Sequence, residues 1–513
     1  MVLNFEILPP RKGTNMSKVD RREFLGDMVS RVVSTSLAWQ ALKSLTPSRA
    51  DELQVTPALV QFRPEMEDVV KWIELTPRDR ILEGAVERLK SGLGYRHLLG
   101  GLFLAGIRNI KPRPVGFKFH AVMVIGSAHQ LSLDAAQSDR LIPFFWALDN
   151  FKASQAQDVK EGDWSLAAVR ESAVPSASQA RQRFVDAMDR WDEEAADSAI
   201  AGLCRSAGAT EVMELIWPYA IRDWQNIGHK AIFAAGAWRT LELIGWEHAE
   251  PVLRSLVYGL LNGGSSDTTV PFDQNRELAG QIRADWVAGQ SDPLVTTALL
   301  QTLRQASPEE AAASVVAHLN RGVSASSLWD AILLAASELL MRQQAIVPLH
   351  ATTATNALYY TFRQSGSDST RRLALLQAAS WIALFREGTR ARGGFPDKPN
   401  IDEFQPAAGA PASIESIFDG LQQSRGTAAA QTLAFSRAGG NPERFFDAAR
   451  HLIFTKGTDA HDFKFAASAF EDLTYASPAI RPQLLAASVY YLKGTRDPDS
   501  PLLQKAREAL AIL

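Results

Sequence analysis

Four of the nine histidines recur at similar intervals, each shortly after a residue that breaks or begins helices. They are His120, His229, His350 and His461, and they are separated by 109, 121 and 111 residues. The residues before them are Gly116, Gly228, Pro348 and Gly457. Neutral imidazole binds Fe(II), Cu and Zn and accepts a proton in acid–base catalysis. A histidine repeated at one position therefore indicates a shared metal or catalytic site, or a structural spacer that each repeat reuses.

The residues that follow each histidine repeat as well, in the segments HAVMVIGSAH, HKAIFAAGAW, HATTATNALY and HDFKFAASAF. Seven places after the histidine stands a small residue: Ser127, Gly236, Ala357 and Ser468. Nine places after it stands a ring: His129, Trp238, Tyr359 and Phe470. Seven residues turn an α-helix by about 700° and nine by about 900°, so the small residue shares the histidine's face and the ring lies opposite. This pattern predicts space beside the imidazoles and packing bulk behind them. The position of each histidine near a helix amino terminus is expected to keep it neutral.

A second apolar segment lies 21 to 23 residues after each histidine, near Leu141, Val252, Leu373 and Leu484. From Pro57 onward apolar residues recur at three- and four-residue steps, and period-two alternation is scarce. Such repeated helical hairpins predict an all-α fold, an α-solenoid or α/α array, over residues 51–513. A long irregular loop is expected at 388–413, where the composition suits a flap and a linker equally.

Composition excludes several classes of protein. The 54 Lys and Arg nearly balance the 57 Asp and Glu, leaving a net charge of −3, so no basic excess indicates a nucleic-acid partner. A single cysteine, Cys204, excludes an internal disulfide and a cysteine-ligated cluster. No apolar run reaches the length of about 18 residues that a membrane span requires. The expected partner is a small-molecule substrate, and the oligomeric state is left open.

Residues 1–50 form a separate amino-terminal segment. Residues 19–25 read VDRREFL, which contains the Arg-Arg-x-Phe-Leu core of a twin-arginine export signal, and Ser48-Arg49-Ala50 fits a small-x-small cleavage site. Asp27 and Arg31 interrupt the apolar stretch between them, as they would in an amphipathic helix. The protein is therefore expected to be cytoplasmic, or exported by the twin-arginine route if this segment is a working signal.

Three of the histidine segments resemble motifs of the questin oxidase-like family, over about residues 220–513. GHKAI at 228–232 resembles its Gly-His helix, HATTATNAL at 350–358 its His-x-x-Thr helix, and DAHDFK at 459–464 its Asp-x-His-x-x-Lys element. The resemblance implies an all-helical oxidoreductase that cleaves aromatic polyketide rings by Baeyer–Villiger oxygen insertion, without flavin and with NADPH as reductant. His229, His350 and His461 carry both the repeat and the resemblance, whereas His120 carries the repeat alone.

Two hypotheses of different class follow. In the first, the protein is an oxidoreductase acting on an aromatic or polyketide-like small molecule, and its histidines converge on a pocket. His229, His350 and His461 are then the candidate catalytic residues, and all four histidines are candidate metal ligands. Asp462 is the carboxylate at hand for an incomplete two-histidine, one-carboxylate set. In the second, the protein is a non-enzymatic helical-repeat scaffold, whose histidines would be about 10 Å apart from repeat to repeat.

Overall fold

The structure, a computed structural model, describes residues 59–264, 269–395 and 400–513, which all belong to one compact unit. These residues form 22 α-helices. The first eleven are α1 Pro64–Leu75, α2 Ile81–Lys90, α3 Tyr95–Asn109, α4 His120–Leu133, α5 Ile142–Lys160, α6 Ala177–Asp189, α7 Glu193–Ser206, α8 Ala209–Ala220, α9 His229–Ile244, α10 Ala249–Leu260 and α11 Val270–Ala279. The others are α12 Pro293–Leu303, α13 Pro308–Asn320, α14 Ala325–Arg342, α15 Ile346–Gln364, α16 Asp368–Arg390, α17 Ile414–Gly420, α18 Arg425–Arg437, α19 Pro442–Lys456, α20 Ala460–Tyr475, α21 Arg481–Ser488 and α22 Leu503–Ile512.

The prediction of an all-α fold is confirmed. Extended pairing in the described ranges is limited to two isolated bridges, Leu59 with Ala167 and Gln290 with Val323. No described helix combines the length and the apolar character needed to cross a membrane. The twin-arginine-like segment within residues 1–50 lies outside the described residues.

Four helices form a closed inner ring. Helices α4, α9, α15 and α20 pack in that cyclic order, and α20 packs back against α4. Each is followed in the chain by a helix that packs against it on the outside: α5, α10, α16 and α21. The predicted hairpins therefore exist, and ring closure brings equivalent positions of the repeat to the same level.

Helix starts are fixed by local chemistry. Serine, aspartate or asparagine side chains accept hydrogen bonds from the backbone N–H groups of several first turns, as Ser367 does at α16. Asp459 and Asp462 form a reciprocal capping box at the start of the inner helix α20. At α20, the residue that fixes the helix start thus lies two places before the histidine, whereas the other three inner helices begin without a side-chain cap.

Two glycines permit close approach at the base of the ring. Gly116 has φ +117°, and a Cβ atom there would lie 3.2 Å from the His229 ring. Gly228 has φ +81°, and a Cβ atom there would lie 2.6 Å from the Cβ of Ala354. Only glycine adopts such backbone angles without strain, so these turns can lead the chain into α4 and α9 at contact distance from their neighbours.

Two local predictions require correction. His350 does not begin its helix, because α15 starts at Ile346 and the histidine lies in its second turn. The irregular stretch does not begin at Gly388, because α16 continues to Arg390. The described part of that stretch is tied to the helices by Ile401, which is 1% exposed and whose N–H donates to Glu338.

A buried ion pair holds the turn that leads into α9. Lys230 follows His229 and is fully buried, and its Nζ lies 2.7 Å from Oδ2 of Asp223, which is 1% exposed. The same amine donates to the carbonyl of Asn262. Removing only one charge of a buried pair leaves the other uncompensated in a medium of low polarity.

We expect Asp223→Asn to lower the free energy of unfolding by about 3–5 kcal/mol, measured by urea titration. The double variant Asp223→Asn with Lys230→Met should recover most of that loss, because no isolated charge remains. Asp285→Asn, which breaks the exposed pair with Arg283, is the matched control and should leave the urea midpoint nearly unchanged. A double variant as unstable as the single one would contradict this explanation.

Candidate functional site

The four repeated histidines meet at one end of the inner ring. One ring nitrogen from each of His120, His229, His350 and His461 lies within 4.8 Å of all the others. Nε2 of His229 is 2.9 Å from Nε2 of His120 and 2.9 Å from Nε2 of His350. The imidazole centroids of His120 and His461 are 4.5 Å apart. The spacing of about 10 Å per repeat, expected for an open array, does not occur.

The other nitrogen of each imidazole has its own acceptor. Nδ1 of His120 is 2.7 Å from the carbonyl of Phe117, and Nδ1 of His350 is 2.7 Å from that of Ile346. His229 makes the same contact with the carbonyl of Asn226. That residue and the next, Ile227, have φ near +55°, so the carbonyl is presented by a strained turn.

His461 has a carboxylate instead of a carbonyl. Its Nδ1 lies 2.5 Å from Oδ1 of Asp459, while its buried Nε2 has no hydrogen-bond partner. Asp462, the carboxylate suggested by the sequence, does not contribute a ligand atom to this group. Asp462 occupies the N3 position of the capping box, where it accepts hydrogen bonds from the N–H groups of Thr458 and Asp459. It also forms an ion pair with Lys493.

These partners determine where the lone pairs point. A carbonyl or carboxylate oxygen only accepts, so each Nδ1 carries the proton in a neutral imidazole, and Nε2 is left with a lone pair. At 2.9 Å the Nε2 lone pairs of His229 and its two neighbours face one another without a proton between them. Such an arrangement is repulsive unless a cation lies among the four nitrogens.

Burial favours the neutral form of these histidines. His350 is fully buried and His229 is 5% exposed. The pKa values of His120, His229 and His350 lie well below the ordinary value, first because of burial and then because of neighbouring positive groups, including Lys464. The sequence attributed neutrality to the helix amino terminus; for His350, which lies in the second turn, burial is the cause.

A second layer of side chains lies one turn further along the inner helices, three places after each histidine. It consists of Met123, Ile232, Thr353 and Lys464. Nζ of Lys464 and Oγ1 of Thr353 are buried and have no hydrogen-bond partner within the part of the chain that the structure describes. Burial lowers the pKa of Lys464 to about 7, opposed by the charge of Asp459. Beside the tetrad, the chain thus offers an amine and a hydroxyl that are free to bind another group.

The small residues lie further up the ring. Seven residues rise about 10 Å along a helix, so this layer is two turns away from the imidazoles rather than beside them. A Cβ atom on Gly236 would meet nothing within 4 Å, and Ser127 and Ser468 are partly exposed although their helices are interior. Of the rings at the ninth place, Tyr359 packs on Trp329 and Phe470 on Phe446, whereas His129 lines the cavity at the far end of the ring. Space therefore exists in the lumen of the ring, above the tetrad.

At the far end of the ring, a cavity of about 280 Å³ opens between the inner helices. The residues ten places after each histidine all line it: Gln130, Arg239, Tyr360 and Glu471. These residues were not predicted, because the repeated pattern in the sequence was followed only to the ninth place after each histidine. Helix geometry could have identified them, because the third, seventh and tenth residues after a histidine all lie within about 80° of it around the helix axis and so share its face.

Two of the distances among the histidines fit a metal ion with ligands at right angles. With metal–nitrogen bonds of about 2.0–2.1 Å, a tetrahedral ion places all its nitrogens about 3.4 Å apart. Ligands at right angles lie about 2.9 Å apart with the same bond length. The two 2.9 Å separations match ligands at right angles, whereas the largest separation, up to 4.8 Å, exceeds the distance of about 4.1 Å between opposed ligands with these bond lengths, so the most distant nitrogens would have to move inward around an ion. This set suits Fe(II), Mn(II) or Cu(II) better than a closed structural zinc site.

Comparisons with protein-family models, with curated proteins and with solved structures give no match. The function must therefore be argued from the site itself.

The lowered pKa values predict how the metal-free protein responds to acid. As the pH falls through about 6.5, the unfolded chain takes up protons on its histidines while His120, His229 and His350 stay neutral in the fold. Above that pH, the three neutral histidines do not lower the free energy of unfolding. Below it, the free energy of unfolding falls by about 1.4 kcal/mol per pH unit for each histidine.

Urea unfolding of the metal-free protein between about pH 7.5 and pH 5.5 measures this slope. We expect His120→Asn to reduce the slope by one proton. His120 is the least buried of the three, so this variant is the one best placed to keep its fold. A slope that is the same in the variant and the natural protein would contradict the buried, neutral state.

Proposed function

We propose that this protein is a metal-dependent oxidoreductase, in which His120, His229, His350 and His461 hold a redox-active metal ion at the base of the helical ring. The carrying observation is the set of unprotonated Nε2 atoms that face one another at 2.9 Å. A proton could relieve that repulsion, but burial and Lys464 both oppose an added proton. A metal ion satisfies all four nitrogens together.

The residues around the tetrad have separate roles in this proposal. The carbonyls of Phe117, Asn226 and Ile346 fix the tautomer and the orientation of three ligands. Asp459 does the same for His461 and adds a negative charge, which makes that imidazole the strongest donor of the four.

A bound redox metal supplies the activation of dioxygen that oxygen insertion without flavin requires. The chain supplies the surroundings. Lys464 and Thr353 offer an unpartnered amine and hydroxyl for oxygen atoms of substrate or dioxygen. A lysine whose pKa is about 7 also exchanges a proton near neutral pH. The apolar Met123 and Ile232 complete the layer and limit access of water.

The substrate class proposed is an aromatic or polyketide-like molecule, and this rests on the resemblance to the questin oxidase-like family. NADPH, the reductant that the resemblance implies, does not fit the cavity of about 280 Å³ in the ring, which lies at the lower limit of sites for small ligands. No step involving the dinucleotide is therefore derived.

The alternative is a non-enzymatic helical-repeat binding or scaffold protein. It gives no reason for the contact of His229 Nε2 with the Nε2 atoms of both His120 and His350, because a structural histidine gains stability when each of its nitrogens donates or accepts a hydrogen bond. The observation that favours it would be a protein that folds fully and binds no metal.

Metal content is the direct test. Protein purified without chelator, then stripped and titrated with Fe(II), Mn(II), Cu(II) and Zn(II), should bind one ion per chain. We expect His229→Asn, which removes the nitrogen that contacts two others, to abolish stoichiometric binding while circular dichroism remains helical. Asp459→Asn should weaken binding about 10–100-fold, as changes in groups that orient a ligand do.

His451→Asn is the matched control. This histidine is exposed on α19 and bonds Asp139, outside the tetrad, so its loss should leave metal content unchanged. Dioxygen uptake by the loaded protein with polyhydroxylated aromatic ketones then tests the reaction class. Stoichiometric binding without uptake would leave a metal-binding protein and refute the oxidoreductase proposal; a fully folded protein without metal would refute both.

A further inference from the structure

An ion pair crosses the lumen of the ring well above the tetrad. Arg239 lies on α9 and Glu471 on α20, which are opposite rather than neighbouring members of the ring, and the guanidinium bonds the carboxylate. Asn356 of α15 donates to Glu471 at 2.8 Å. Because these residues lie ten places beyond the histidines, the pair is about 15 Å along the axis from the tetrad. Along the axis of the ring, the pair therefore lies between the tetrad and the rest of the far cavity, whose wall it helps to form.

The cavity above this pair contains an arginine without a carboxylate partner. Arg363, at the end of α15, lies flat over the ring of Tyr475 at 3.0 Å, and no ion pair to it occurs among the described residues. The two glutamates of the cavity wall are already engaged. Glu242 accepts from the hydroxyl of Tyr360, and Glu471 accepts from Arg239 and Asn356.

Arg239 is oriented in the same way as Arg363. Its guanidinium lies 3.8 Å from the centroid of the Tyr360 ring. Stacking on an aromatic ring holds a guanidinium in place while its edge stays free to bind a planar acid group with two hydrogen bonds. Two stacked arginines thus line one cavity, one unpaired and the other paired across the lumen.

We propose that this cavity is a binding site for a small organic carboxylate, held first by Arg363 and then by Arg239 in place of Glu471. This exchange keeps a carboxylate on Arg239, while Glu471 retains the hydrogen bond from Asn356 and no longer ties α20 to α9 across the lumen. The carboxylate site stands on the cavity alone. Its role as the route to the tetrad rests on the proposed metal function.

Isothermal titration of the metal-free full chain with benzoate tests the site, with benzamide as the neutral molecule of the same shape. We expect benzoate to bind and benzamide to bind at least about tenfold more weakly, the ratio expected when a hydrogen-bonded charge is lost. Arg363→Gln should weaken benzoate about tenfold or more, and Arg363→Lys, which keeps the charge, should weaken it less.

Arg88→Gln is the matched control, because Arg88 also lies over an aromatic ring, Trp72, but far from this cavity. It should leave benzoate binding unchanged. Glu471→Gln should strengthen binding, because Arg239 then has no competing carboxylate. Equal affinity for benzoate and benzamide, or no effect of Arg363→Gln in a folded protein, overturns the proposal.

The route is tested in the Cu(II)-loaded protein by the rate of azide binding, followed by its visible absorption. Benzoate at saturation should slow azide binding, and so should Gly236→Leu, which fills the lumen between the cavity and the tetrad. Unchanged rates in both cases overturn the route. If the chain binds benzoate as expected but takes up no metal, the carboxylate site is supported and the proposed metal function fails.

Discussion

Repulsion between the Nε2 lone pair of His229 and those of His120 and His350 is the constraint on which the rest of the structure depends. Each Nδ1 is committed to an oxygen acceptor, so the Nε2 atoms at 2.9 Å cannot satisfy one another. Burial removes the water that would otherwise separate them. In the absence of a cation, packing in the rest of the fold must therefore offset the repulsion between these groups. A cation that binds there removes the repulsion, so the same free energy contributes to its binding affinity.

The closed ring of α4, α9, α15 and α20 supplies that packing. Four helices in cyclic contact have no free end at which a repeat could shift, so the level of each histidine is fixed by its neighbours on both sides. Gly116 and Gly228 let the chain enter two of these helices within contact distance of the opposing side chains. The buried ion pair of Asp223 and Lys230 flanks the strained turn at Asn226 in the chain and holds it in place. Rigidity at the base of the ring is thus built from several independent contacts.

The sequence predicted the helices, the hairpins and the residue type that recurs, because those depend on periodicity within about 20 residues. It left open whether the repeat closes, since closure depends on the angle between successive hairpins, which no local pattern encodes. The sequence suggested Asp462 as a ligand, but both Asp459 and Asp462 belong to the capping box, and Asp459 is the one that bonds the His461 ring, which only the position of that ring reveals. Arg239 and Glu471 are 232 residues apart, and their pairing exists only after closure.

Ring closure also explains why charge is distributed along the lumen as it is. At the base, burial holds the pKa values of His120, His229 and His350 well below the ordinary value and lowers that of Lys464 to about 7. At the other end, full charges are paired across the lumen and remain partly exposed, where solvent lowers the cost of keeping them. Small residues such as Gly236 separate the two regions. Under the proposed function, a path from a charged opening to a buried set of nitrogen ligands would admit a polar molecule and let it react away from water.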